Sequence, residues 1–105
     1  MVTAGSSGNI LLEKFELNPD EMKTVNEAVQ KYAEKIGRLV NYERIRLEMK
    51  VHKKGKNSHF EIMGLITFPG GRASSEERDV NPFVSIDKVM ARMLAEIEHL
   101  VGRKK

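Results

Sequence analysis

From Arg44 to Lys53 the chain alternates apolar and polar residues with a period of two. Ile45, Leu47, Met49 and Val51 fall on one side, and Arg44, Arg46, Glu48, Lys50 and His52 on the other. That pattern predicts a strand with one covered face. The polar run Lys54-Gly55-Lys56-Asn57-Ser58 reads as a turn, and the alternation resumes over His59–Phe68. Here Phe60, Ile62, Gly64, Ile66 and Phe68 share a face, while Met63 and Leu65 lie opposite, beside His59, Glu61 and Thr67. The two strands are predicted to pair as a hairpin. Pro69-Gly70-Gly71 marks a further turn. Arg72–Val80, polar and poor in strand formers, is expected as a short edge strand whose charges protect it from pairing with other chains. Upstream, Ile10–Leu17 is expected as a first strand. Its alternation is imperfect, since Leu11, Phe15 and Leu17 share a face with Glu13, and a bulge or an edge position accounts for that.

Two segments carry the helical period instead. Asn18-Pro19-Asp20-Glu21 combines a capping side chain, proline at the first helical position and an acid three residues after the cap. Met22, Val25, Val29, Tyr32, Ile36 and Leu39 then recur on one face, which predicts a helix to about Leu39–Asn41. Asn81-Pro82 repeats the start signal. Phe83, Ile86, Met90, Met93, Leu94, Ile97, Leu100 and Val101 form the second stripe, and Gly102 ends it.

The order is β-α-β-β-β-α. A β-α-β start implies parallel pairing of the first two strands through a right-handed crossover, and the hairpins add antiparallel neighbours. Each helix has a single apolar stripe, so both must cover the same face of the sheet. The expected fold is therefore α+β: two layers, with a four-stranded mixed sheet, both helices on one face and the other face open. Residues 10–105 are expected to form one domain after a flexible tail, Met1–Asn9, of linker-like composition.

Composition narrows the chemistry. The chain has 105 residues, 40% hydrophobic and 31% charged, with no cysteine. Disulfide scaffolds, cysteine-ligated metals and thiol nucleophiles are excluded. No apolar run is long enough for a membrane span and no signal-peptide pattern opens the chain, so the cytoplasm is the expected compartment and no membrane partner is expected. His52, His59 and His99 are scattered, and no further ligands are spaced to complete a metal site. Ser74-Ser75 has no partnered base, and Gly70-Gly71 lacks the following Lys-Ser/Thr of a phosphate loop. Neither catalysis, a cofactor nor a small-molecule substrate is expected.

The net charge is only +3, so clustering matters more than the total. On the first helix Lys31, Lys35 and Arg38 fall within about 60° of one another, bordered by Glu27 and Glu34. On the second, Lys88, Arg92, His99 and Arg103 share a similar arc, continued by Lys104 and Lys105. Packed side by side, the helices could join the two stripes into one surface suited to phosphate contacts. The bland alternative is a pair of solvated helix faces.

The order of elements and the helix opening Asn81-Pro82-Phe83-Val84-Ser85-Ile86-Asp87-Lys88-Val89 resemble the ribosome hibernation-promoting factor family, which includes ribosome-associated translation inhibitors. The likeness covers residues 10–105 and is to the short form, without an additional dimerising domain. It implies a fold similar to double-stranded-RNA-binding domains and binding to rRNA of the small ribosomal subunit, in the channel of mRNA and tRNA. It implies inhibition of translation by steric block, in ribosome hibernation under stress. By position, the resemblance puts the RNA contacts at Lys31, Lys35, Arg38, Lys88, Arg92, Arg103, Lys104 and Lys105. Glu76 and Glu77 depart from the family's smoother fourth strand. Two other classes stay open. One is a non-catalytic protein–protein module, with weak homodimerisation through the sheet face at Met63 and Leu65. The other is a small enzyme using His52 or His59.

Overall fold

The computed structural model describes residues 9–102. The order is β1 (Ile10–Glu13), α1 (Pro19–Leu39), β2 (Arg44–Lys54), β3 (Asn57–Phe68), β4 (Gly71–Asp79) and α2 (Pro82–Gly102). The four strands form one sheet in sequence order, with β1 parallel to β2 and the other two pairs antiparallel. The mixed α+β sheet expected from the alternation is what the chain builds. The tail at 1–8 and the basic run Arg103-Lys104-Lys105 lie outside the described residues.

Local signals explain most boundaries. Asn18 caps α1 reciprocally: its side chain accepts from the Glu21 backbone N–H at 2.8 Å, and Glu21 accepts from the Asn18 N–H at 3.0 Å. Asn81 caps α2 in one direction: its side chain accepts from the Phe83 backbone N–H at 2.9 Å. The β2–β3 hairpin closes more tightly than the polar run implies, with Lys54 already paired to Asn57. The β3–β4 turn places Pro69 before Gly70, whose φ of 94° is the positive value that a type II turn demands there.

The first strand corrects the sequence reading. It ends at Glu13, and Lys14 follows in the left-handed region at φ 60°. Ile10 and Leu12 are the buried positions of β1, so Leu11 and Glu13 face the open side. The left-handed Lys14 resets the phase, and Phe15 and Leu17, instead of continuing the Leu11 face, pack against the core.

The core lies between the helices and one face of the sheet. Ile45, Leu47, Met49, Ile62, Ile66 and Ala73 come from the strands, and Val25, Val29 and Ile36 of α1 and Val89, Met90, Met93 and Ile97 of α2 close over them. The approach is tightest at Gly64. A Cβ there would stand 2.6 Å from Val89 Cγ1 and 2.7 Å from Met93 Cε, so only glycine lets α2 settle on β3. Beside this contact the fully buried Ser85 donates its hydroxyl to the Phe60 carbonyl at 2.7 Å, so it carries no unmet donor.

Gly64→Ala is therefore expected to lose about 1–3 kcal/mol through overpacking, lowering Tm by roughly 4–8 °C for each kcal/mol. Thermal unfolding followed by circular dichroism measures this. An unchanged Tm would mean that α2 can shift away from β3 without loss.

Candidate nucleic-acid interface

The two helices run side by side and in the same direction. The right-handed β1-α1-β2 unit sends α1 back against its strands. Successive contacts of α2 with β4 at Lys88–Asp79, Arg92–Glu77 and Glu96–Ser74 show α2 antiparallel to β4. Since β4 is parallel to β2, the two helices are parallel to each other.

On α1, Lys31, Lys35 and Arg38 are exposed, as helical spacing requires. None of the three makes an ion pair among the described residues. Lys35 Nζ lies 5.7 Å from the centre of the Tyr32 ring, within reach of a cation–π contact. The Tyr32 hydroxyl in turn donates to Asp87 Oδ1 of α2 at 2.7 Å, tying the helices together. Burial is the main reason that the Tyr32 pKa is pushed up to about 12, and the hydrogen bond and charge of Asp87 add to it.

The α2 cations are placed differently. Lys88 Nζ lies 3.6 Å from Asp79 Oδ2, and Arg92 Nε lies 2.7 Å from Glu77 Oε2. Glu96, on the same flank, accepts from the Ser74 backbone N–H at 3.3 Å. This basic side of α2 therefore leans over the β4 edge, away from α1, while Asp87 occupies the side toward α1. The two stripes expected to converge are separated by that acid, and two of the α2 cations are neutralised by β4. The carboxyl of Asp79 is held below its ordinary range, first by the Asn81 backbone N–H and further by Lys88. Arg103, Lys104 and Lys105 belong to the same sequence stripe but lie outside the described residues.

Neither neutralising contact is legible from helical spacing alone. Glu77 and Asp79 share the strand phase of buried Ala73, and that phase was the available signal that they point toward the helices. Asp87, part of the α2 opening, proves to be the acceptor that joins the helices.

The open face of the sheet is a charged mosaic. Arg46 lies 2.5 Å from Glu13 and 3.9 Å from Glu48, and Lys14 reaches Glu48 at 3.2 Å. His52 and His59 stand opposite each other in register, and His52 Nε2 donates to Glu61 Oε1 at 2.7 Å. Arg78 approaches the same carboxylate at 3.7 Å. Met63 and Leu65 are half-buried between these groups. Among the described residues no cluster of three His, Asp or Glu side chains is placed to hold a metal ion, and no helix is long and apolar enough to cross a membrane.

Comparison with solved structures finds the N-terminal domain of Thermus thermophilus protein Y. It matches at TM-score 0.60 and 17% identity over 87% of this chain and 94% of that one. A ribosomal subunit interface protein from Coxiella burnetii matches at TM-score 0.64 and 7% identity, over 88% and 93%. This chain has their fold. The resemblance drawn from the element order and the α2 opening is thus borne out in architecture, at an identity that speaks for fold alone. No family model and no curated protein sequence matches the chain.

The Glu61 contacts give a pH signature. The hydrogen bond from His52 holds the Glu61 carboxyl below the ordinary range; burial opposes this, and Glu76 and Arg78 reinforce it. A lowered native pKa adds stability above the unfolded value of about 4.3, and that stability is lost as pH falls through the native value. Glu61→Gln is expected to flatten the acid limb of urea-unfolding stability between pH 5 and pH 3 (approximate bounds set by the unfolded carboxyl). A limb as steep as that of the unmodified chain would show that other carboxylates carry it.

Proposed function

We propose that this chain is a ribosome-associated translation inhibitor that binds rRNA of the small subunit through the outer faces of its helices. It would occupy the channel of mRNA and tRNA and act by exclusion, in the cytoplasm. The observation that carries the reading is the cluster Lys31, Lys35 and Arg38: an exposed, un-neutralised cation face on a fold shared with a ribosomal subunit interface protein. Uncompensated cations release condensed counterions on meeting phosphates, whereas an ion-paired cation must first give up its carboxylate. The α1 face therefore carries the larger share. Lys88 and Arg92 contribute less while Asp79 and Glu77 hold them, and Arg103, Lys104 and Lys105 extend the α2 side in sequence.

A steric mechanism needs no bond made or broken. It requires a rigid wedge with one adhesive face. The helix layer supplies both, since the buried α1–α2 seam and the Tyr32–Asp87 bond fix the spacing of the cations.

Co-sedimentation with small ribosomal subunits across a salt series tests the proposal. Three phosphate contacts predict a log–log salt slope of about −2 to −3 from α1 alone. Replacing Lys31, Lys35 and Arg38 together by Gln is expected to remove most of that slope and weaken binding roughly 10- to 100-fold at about 100 mM salt. The Lys88→Gln/Arg92→Gln pair is expected to cost only about threefold, because those charges are already compensated. Absence of binding by the unmodified, folded chain would overturn the reading.

A further inference from the structure

The arginines of the described chain divide into two groups. Arg46, Arg78 and Arg92 are each held by a carboxylate. Arg38, Arg44 and Arg72 make no ion pair among the described residues. The second group is also gathered in space. Arg44 pairs in register with Thr67, and Thr67 with Arg72, so the two arginines flank a threonine in one row across β2, β3 and β4. All three side chains fall on the open face by strand phase, and both arginines are exposed. The row lies at the end of the sheet where α1 finishes, since residues 40–43 alone connect Leu39 to Arg44. Arg38, in the last turn of α1, therefore lies at the same end.

A helix C-terminus offers a local reason for Arg38, because a cation there offsets the negative end of the dipole. That reason does not extend to Arg44 and Arg72. The dipole effect falls off within a turn, and these residues lie across the sheet from the helices. Their row is bordered by a shallow hollow of about 250 Å³ lined by Glu43, Arg44, Arg46, Leu65 and Thr67. Glu43 is the one carboxylate of that lining, and its backbone N–H is bound to the Thr67 carbonyl at 2.6 Å. Two planar guanidinium groups with a hydroxyl between them match the donor pattern that phosphate oxygens accept.

We infer that Arg44, Thr67 and Arg72 form a second phosphate-binding row, which continues the α1 cation face around the end of the sheet. The inference rests on reading the chain as an rRNA binder. It places RNA against two sides of one end of the molecule, where the helix-only picture places it across the helix layer. The α2 flank, compensated by β4, is the secondary side.

The test compares two double variants of the full chain in co-sedimentation with small ribosomal subunits. Lys14 and Arg78 are held by Glu48 and Glu61 and stand apart from the hollow, so Arg44→Gln/Arg72→Gln and Lys14→Gln/Arg78→Gln remove the same net charge and change the general field of the protein equally. The first is expected to weaken binding about tenfold and to flatten the log–log salt slope by about 1.4–1.8, the value for two phosphate contacts. The second is expected to change binding by less than about threefold and to keep the slope, because its cations are already engaged by carboxylates. Circular dichroism confirms that each variant is folded. Equal behaviour of the two pairs, with binding still lost on removal of Lys31, Lys35 and Arg38, would overturn this row and leave the helix face standing. Failure of the unmodified chain to bind small subunits at low salt would overturn both.

Discussion

The placement of α2 on the sheet governs everything else in this molecule, and Gly64 permits that placement. Val89 and Met93 occupy the space where a Cβ on β3 would project. Seated there, Ser85 reaches the Phe60 carbonyl and the flank of α2 comes within ion-pairing distance of β4. The opposite flank presents Asp87 to Tyr32, so the position of α1 follows from that of α2. A single missing methyl thus fixes the helix layer in two directions.

Charge placement follows from the same seat. Lys88 and Arg92 hang over an edge strand whose inward positions are Glu77 and Asp79, and they are compensated there. The acids that make β4 a poor sticky edge also pair with the two α2 cations Lys88 and Arg92. On α1 no such strand lies alongside, and Lys31, Lys35 and Arg38 remain uncompensated among the described residues. A chain of net charge +3 can still present a local positive surface, because Glu13, Glu48, Glu61, Glu77 and Asp79 are paired with cations elsewhere.

Most of the fold was legible in the sequence because each element carries its own boundary chemistry. The capping box at Asn18 and Glu21, the Pro69-Gly70 turn and the strict alternation of β2 and β3 are local signals, and the chain obeys them. The phase of β1 was not legible. It depends on Lys14 taking a left-handed backbone that no neighbouring residue announces. The candidate site was legible as a set of cations on helix faces but not as a surface. Helical spacing gives the angle of Lys88 about its own axis; it does not give the lateral offset that brings Asp79 beneath it. For the same reason Arg44 and Arg72 read as ordinary solvent-facing strand residues until the register set them on either side of Thr67.

An RNA contact through the uncompensated α1 face would shield its lysines. Lysine-reactivity footprinting of the full chain, with and without small ribosomal subunits, reads this residue by residue. Lys31 and Lys35 are expected to lose reactivity on the particle while Lys50, far along the open sheet face, keeps it. Unchanged reactivity at Lys31 and Lys35 in the bound state, or protection of Lys50 in their place, would contradict that contact.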